Sequence, residues 1–337
     1  MGEKAFTIVQ AGQEAIHGTA VAATRKYLFK VDPGKDRMIH FPELPIGIRA
    51  RTHKAETRQI SADGINITTP EGCYFQALPM LFSIGLKGGV TAVEQTVSQN
   101  DYLWDFTPDL EDDNDPDSIT LEYGDDVQGY EIPYVMARRY VIEGNVGEDA
   151  NVSVTVECFG KQITPTTLTP SLTNPAIEGM VANMAKLYID STWATLGTTP
   201  KTGLLRKYRI EIITGVHQKF WAEGVKTMTG HDESFIDAMW SLTFEGNSDA
   251  DVLFDAFQAM TAKAMRLEII GSQIGTGETH LLQVDTYGKF EEVIPLGDEK
   301  DGNNLHTAIF HGISDNEATP HMLGIQVITD VAAIDPA

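Results

Sequence analysis

Residues 150–159, ANVSVTVECF, decide the fold class. Side chains of an extended chain point alternately to its two faces. Val152, Val154 and Val156 therefore share one face, and Ser153, Thr155 and Glu157 share the other. β-Branched residues opposite polar ones describe a strand with one buried and one wet face, as in antiparallel sheets. Working outward, the same alternation predicts strands upstream at 47–55, 64–69, 118–123, 127–134 and 138–143. Downstream it predicts them at 205–214, 217–226, Asp237–Glu245, 265–271, 279–285, 288–294, 305–313 and 322–329.

Two stretches carry helical spacing instead. In EGCYFQALPMLFSIGL, residues 71–86, Tyr74, Leu78, Leu81 and Phe82 share a helix face. Thr69 is placed to cap it, Pro70 suits its first position and Pro79 predicts a kink. In SDADVLFDAFQAM, residues 248–260, an apolar stripe of Val252, Leu253, Ala256, Phe257 and Met260 follows Ser248 or Asp249 as N-cap. The expected class is mainly β with one flanking helix per domain, an α+β arrangement.

The length of 337 residues suggests two domains. GINITT leads through PEG into YFQALPML, and SLTFEG leads through NSDAD into LFDAFQAM, about half a chain apart. A strand closes each half: NVSVTVEC and LGIQVITD. The Pro- and Thr-rich QITPTTLTPSLTNP, residues 162–175, reads as a linker, with a proline-punctuated edge strand as the alternative. Domains are expected over 1–170 and 171–337, related by duplication; two unrelated β-rich domains with one helix each are the alternative. Residues 1–30 lack a steady period and are expected to form an extended arm.

With 25 basic and 48 acidic residues, the net charge is −23. That argues against a surface that grips phosphates or anionic membrane. The deficit is shared: residues 1–170 hold 14 basic and 25 acidic side chains, and the remainder falls on 171–337. Between Gly88 and Tyr130 there is no Lys or Arg, and the acidic stretch 101–126 is expected as a solvated outer loop. No apolar run is long enough to span a membrane, and MGEKAFTIVQAGQEAIHG lacks the pattern of a signal peptide. Cys73 and Cys158 lie far apart and form neither a disulfide framework nor a zinc ligand set.

Catalytic patterns are missing. The histidines at 17, 40, 53, 217, 231, 280, 306, 311 and 321 form no HxH or HExxH pattern. Asp113, Asp115 and Asp117 open like an EF-hand loop, but Ser118 stands where glycine is required and Gly124 where the bidentate Glu belongs. There is no GxSxG, no P-loop and no GxGxxG after a strand. His231, Asp232 and Glu233 read as a turn or cap, and Gly275-Thr276-Gly277 as a hairpin tip. Arg206, Lys207 and Arg209 read as polar positions of one strand. Trp104, Trp193, Trp221 and Trp240 read as core or interface anchors, with a sugar platform as the alternative. No catalytic, cofactor-binding or metal-ligating residue is assigned, no cofactor is expected, and the chain is not expected to be an enzyme.

The stretch NDYLWDFTPDLEDDNDPDSITLEYGDDVQGYEIPYVMARRYVIEG, followed by VSVTVECFGKQITPTTLTP, resembles the tail-tube proteins of long-tailed, siphovirus-type bacteriophages. The matching blocks are residues 102–108, 117–134 and 160–169, and FPELPIG at 41–47 is similar to the stretch before the family's long strand-and-loop region. Lys161 stands where Arg is common. The likeness covers most of 40–170; the second half matches only in the order of its elements. It implies tandem tail-tube β-sandwich or barrel domains whose strands join those of neighbours into one tubular barrel. It implies a structural virion protein, the major tail-tube subunit, made in the bacterial host cytoplasm and located in the virion tail. The implied partners are its own copies, as stacked trimeric rings with pseudo-sixfold symmetry, and the tape measure protein inside the tube. Genomic DNA passing without specific binding and the tail terminator and tail tip proteins complete the set; no membrane is involved. A phage baseplate or receptor-binding β-sandwich module is the alternative, and a polysaccharide-acting enzyme the third class. The N-terminal arm and the loop following Pro45 are expected to touch neighbouring subunits.

Overall fold

The computed structural model describes residues 7–43, 55–69, 71–147, 151–300 and 302–335. Over these residues the fold is mainly β, with 51% strand, 8% helix and two α-helices. The first half contains β1 (Ile8–Gln13), β2 (Arg25–Tyr27), β3 (Lys30–Asp32), β4 (Lys35–His40), β5 (Glu56–Thr68), α1 (Leu78–Ser83), β6 (Val93–Glu94), β7 (Tyr102–Asp105), β8 (Ile119–Gly124), β9 (Gly129–Asn145), β10 (Val152–Gly160) and β11 (Thr164–Thr166). The second contains β12 (Ala185–Asp190), β13 (Pro200–Lys201), β14 (Leu205–Ile213), β15 (His217–Lys219), β16 (Gly230–Asp232), β17 (Asp237–Glu245), α2 (Ser248–Gln258), β18 (Lys263–Gln273), β19 (Thr279–Lys300), β20 (Asn303–Gly312) and β21 (Leu323–Thr329).

Each half builds the same two pieces from antiparallel pairs. One piece is a flank: β2–β1–β8, the leading part of β9, and β11. Its counterpart is β13–β12–β18, the leading part of β19, and β21. The other piece is a row of four positions: β3 and β4 along one edge, then β5, β10 and the trailing part of β9. Its counterpart is β14, β17, β20 and the trailing part of β19. The rows join where residues 207–213 pair with 139–145, giving one sheet of eight positions. Tyr208 lies opposite Gly144 at this joint, where a Cβ would come within 2.2 Å of the Tyr208 ring; glycine is the residue that lets the ring lie on the strand. β7 of the first half crosses over to extend the second flank by pairing with β21.

β9 and β19 each serve both pieces, so each bends. β9 turns after Pro133 at Tyr134, whose φ is +62° and whose N–H donates to Glu14 Oε1 at 2.8 Å. β19 turns at Gly288, where a Cβ would fall 2.1 Å from the His311 carbonyl oxygen. The inner faces close on one apolar core. Val154, Tyr140, Ile210, Trp240 and Phe310 come from the row, Val9, Leu121, Leu267 and Val284 from the flanks. α1 is wholly buried in it, with Phe82 packed 5.9 Å from Phe106 and 5.5 Å from Tyr140. Burial of such side chains stabilises by roughly 1.5–3 kcal/mol each before the ordering cost is subtracted.

Several expectations need correction. Pro79 lies in the first turn of α1, after a 3-10 turn at Phe75–Ala77, and starts the helix instead of kinking it. Thr69 does not cap it; its Oγ1 accepts the Val154 N–H at 2.9 Å. Tyr74 precedes the helical turns, in a bridge with Gly179. Asn247 Oδ1 takes the Ala250 N–H at 3.1 Å, so the side-chain cap of α2 lies one residue before the expected positions. The pairs 127–134 with 138–143 and 279–285 with 288–294 merge into β9 and β19, because a bend breaks the alternation without ending the strand. Of 217–226 only His217–Lys219 is a strand, paired with β16.

The described part of the expected arm is built into the fold: β1 is paired on both sides and carries buried Val9 and Ala11. Buried Gln10 and Glu14 hide its period, since Gln10 reaches Glu122 at 2.6 Å and Glu14 accepts from Ser118 and Thr120. Residues 164–166 form edge strand β11, the alternative reading of the linker. The stretch 101–126 is not a solvated loop throughout. It contains β7 and β8, and buried Asp101 accepts the N–H groups of Thr96 and Glu278 at 2.8 Å. The strand expected at 47–55 (Ala55 aside), Pro70 and the loop following Pro45 lie outside the described residues.

Candidate functional site at the open sheet edges

Alternation in the row strands turns one face to the core and the other to water, as on β10, where Ser153, Thr155 and Glu157 are half-buried between buried valines. Charges on the wet face are paired across strands. Arg139 donates to Glu211 at 2.7 Å and lies 3.7 Å from Glu157. Arg209 meets Glu143 and lies 3.4 Å from Glu211, Arg138 reaches Asp63 at 2.5 Å and Glu157 at 2.9 Å, and Arg206 meets Glu245. The Arg139 hydrogen bond holds the Glu211 carboxyl below its ordinary range, with Arg209 adding to it. Partly exposed pairs of this kind contribute only about 0–1 kcal/mol each. Their chemical effect is larger: all four arginines of β9 and β14 face carboxylates, so the face lacks the bare guanidinium lattice that holds phosphates. The basic trio 206, 207 and 209 occupies partly or fully exposed positions around buried Tyr208 and Ile210, as its alternation indicates.

The row ends in two unpaired edges. Among the described residues, β3 and β4 pair with β5 alone, and the trailing part of β19 pairs with β20 alone. An unpaired edge offers N–H and C=O groups to another strand. Exposed apolar side chains gather at both: Met38 and Ile39 on β4, followed by Phe41, and Ile294 and Leu296 on β19. Within the chain, the trailing part of β9 is joined to β14. The pairing order makes β19 the counterpart of β9, and β3–β4 the counterpart of β14. The open edges are thus the counterparts of the two strands that are already joined. Sequence reasoning missed this joint; the signal was Gly144, a lone glycine inside a strand pattern, which marks close approach of another chain segment.

Other candidate residues fall into structural roles. Trp104 and Trp240 are buried, with Nε1–H donating to the Val331 carbonyl and to Thr286 Oγ1, both at 2.9 Å. They are closed to a sugar, and the four tryptophans do not make one platform. Trp193 stacks on His321 at 5.0 Å beside a cavity that Tyr287 and Asp315 also line. His280 lies 3.6 Å from Asp330, and Gln76 donates to the same carboxylate at 2.9 Å. The neighbouring His280, with Gln76 and Thr329 donating to the same carboxylate, pulls Asp330 down to about 2. Burial is the largest single influence on His280 and lowers its pKa, but Asp330, the Ser272 carbonyl and Glu178 together outweigh it and the net shift is upward. Cys73 and Cys158 are free and buried, and burial pushes the Cys73 thiol up to about 12, far from a reactive thiolate. Gly275–Gly277 forms the hairpin tip between β18 and β19, where the Thr276 N–H donates to Gln99 at 2.9 Å. Among the described residues no helix is long and apolar enough to cross a membrane. Compared with known proteins, the chain matches no family model and no curated protein.

Proposed function

We propose that the chain is a structural virion protein, the major tail-tube subunit of a long-tailed bacteriophage, with tandem tube domains over 1–170 and 171–337. The observation that carries the reading is the joint between β9 and β14 together with the two open counterparts of those strands. A chain that already joins its own halves edge to edge has the means to join copies of itself the same way, β19 of one to β3–β4 of the next. The likeness of 102–108, 117–134 and 160–169 to the tail-tube family supports the same reading.

Three copies with eight row positions each would close a barrel of about 24 strands. At a spacing of about 4.8 Å and a tilt of about 40–45°, the backbone diameter is roughly 50 Å, wide enough for a hydrated duplex. Each ring then has pseudo-sixfold symmetry, and rings stack into a tube. The paired wet face lines the lumen, and the acidic excess repels phosphates, so DNA passes on ejection without specific binding. The tape measure protein fills the lumen first, and terminator and tip proteins close the ends. No step is chemical.

Negative-stain images of the concentrated protein test the reading. Rings or tubes with a central channel are expected, together with a folded monomer for the Ile294→Lys/Leu296→Lys double variant. A protein that stays monomeric at every concentration, or closes into small oligomers without a channel, overturns it.

A further inference from the structure

We propose that His17, Asp115 and His231 form a binding site for a divalent transition-metal ion of the zinc class. One donor atom of each residue lies within 4.8 Å of the other two. The three come from separate segments: the turn after β1, the acidic loop before β8, and β16 in the insertion between β14 and β17.

Hydrogen bonds prepare the imidazoles. His17 Nδ1 lies 2.9 Å from Ser118 Oγ, and that hydroxyl gives its own proton to Glu14 Oε2 at 2.6 Å. Ser118 must therefore accept from His17, which places the ring proton on Nδ1 and leaves a lone pair on Nε2. Nε2 is the atom that faces Asp115 Oδ1, 3.8 Å away. His231 Nδ1 lies 2.9 Å from the Tyr134 hydroxyl, so the tautomer that donates there frees its Nε2 in turn. Both contacts are of the outer-shell kind that orients metal-binding histidines. Tyr134 also packs against both rings, stacked on His17 at 5.6 Å and edge-on to His231 at 5.9 Å.

The carboxylate is brought in by its backbone. Asp115 has a φ of +41°, and its N–H and that of Asn114 donate to Glu233 at 2.9 and 3.3 Å. Glu233 follows His231 by two residues, so the acidic loop is pinned beside β16. Two imidazoles with one carboxylate suit zinc and its neighbours, whereas calcium and magnesium call for oxygen ligands. Ligands about 2.0–2.1 Å from a tetrahedral ion stand roughly 3.4 Å apart. His17 Nε2 and Asp115 Oδ1 stand 3.8 Å apart, near that spacing, and Asp115 is exposed and able to move toward an ion. Water takes the fourth position. A bound ion would staple the second half's insertion onto the first half.

Chelator-treated full-length protein titrated with Zn²⁺ by calorimetry, and with Co²⁺ by visible absorption, tests the site. One equivalent should bind, with a rise in melting temperature and cobalt bands of four-coordinate intensity. Asp115→Asn and Ser118→Ala should each weaken binding by about tenfold. His17→Ala with His231→Ala should abolish it. Should that double variant not fold, Asp115→Asn decides, and unchanged affinity there overturns the proposal. Absence of an equivalent-level site, undiminished binding in the folded double variant, or preference for Ca²⁺ or Mg²⁺ over Zn²⁺ also overturns it.

Discussion

The bends of β9 and β19 hold corresponding places in the two halves, yet their surroundings differ. The bend at Tyr134 is covered: Val216 and Met228, from the insertion between β14 and β17, pack with Tyr134, Met136 and Phe159 in a second small core. The bend at Gly288 lies beside Tyr287, which lines an open cavity with Trp193, Asp315 and His321. The cover of the first bend is supplied by the insertion between the row strands next in line, β14 and β17. Beyond β19 no further strand of the described chain is in line. One strand-pairing pattern is therefore complete where its neighbour is the other half, and incomplete where the neighbour is missing.

The largest effects should show how far the halves depend on each other. Trp104→Ala and Trp240→Ala each remove a fully buried indole, one from each half, and should each cost about 3–5 kcal/mol in urea unfolding. Because both rings sit in one core, calorimetry should record a single transition that shifts as a whole; two transitions would mean the halves fold separately. Gly144→Val attacks the joint itself. With the Tyr208 ring 2.2 Å from the added Cβ, a loss of about 1–3 kcal/mol is expected, and an unchanged unfolding midpoint would mean the joint is loose.

The His280–Asp330 pair ties the start of β19 to the residue that follows β21, and its contribution depends on pH. The Asp330 carboxylate stabilises above the ordinary carboxylate range, and this is lost as pH falls toward about 2. Protonated His280 stabilises below the ordinary histidine range, and this is lost as pH rises through its raised pKa. The pair should contribute most between about pH 4 and 6.5. Asp330→Asn should flatten that window by about 1 kcal/mol, a modest figure because the carboxylate is partly exposed. Tyr208→Phe should stabilise by up to about 1 kcal/mol, since the buried hydroxyl has no hydrogen-bond partner among the described residues. Smallest of all, Leu296→Lys on the open edge should change monomer stability by less than about 0.5 kcal/mol while suppressing assembly. A large stability loss there would show that the edge is not free.

What could be read from the sequence was what alternation reports. Val152 to Glu157, Tyr208 to Ile212 and Ala238 to Phe244 gave themselves away because one face is apolar and the other polar. β1 did not, because it buries Gln10 and is followed by buried Glu14, whose partners Glu122, Ser118 and Thr120 lie more than a hundred residues away. α1 was placed correctly but misjudged in length: a six-residue helix buried on every side is held by packing, and Pro79 then marks its start. The three residues of the candidate metal site share no spacing, since 17, 115 and 231 meet only through the fold. The repeated order of strand, helix and strand was visible; that β9 would take β14 as its neighbour was not.

The pairing of β7 with β21 sets a schedule for synthesis. Tyr102–Asp105 leaves the ribosome long before Leu323–Thr329, its partner, has been made. At about 5–20 residues per second the wait is roughly 11–44 s. Trp104 cannot donate to Val331 until that segment has been made either, so an indole and a strand edge stay exposed on the nascent chain for that time. Contacts of such sequence separation form slowly even after release. The nascent first half is therefore a substrate for holding chaperones, and slowing translation late in the message should raise the fraction that aggregates.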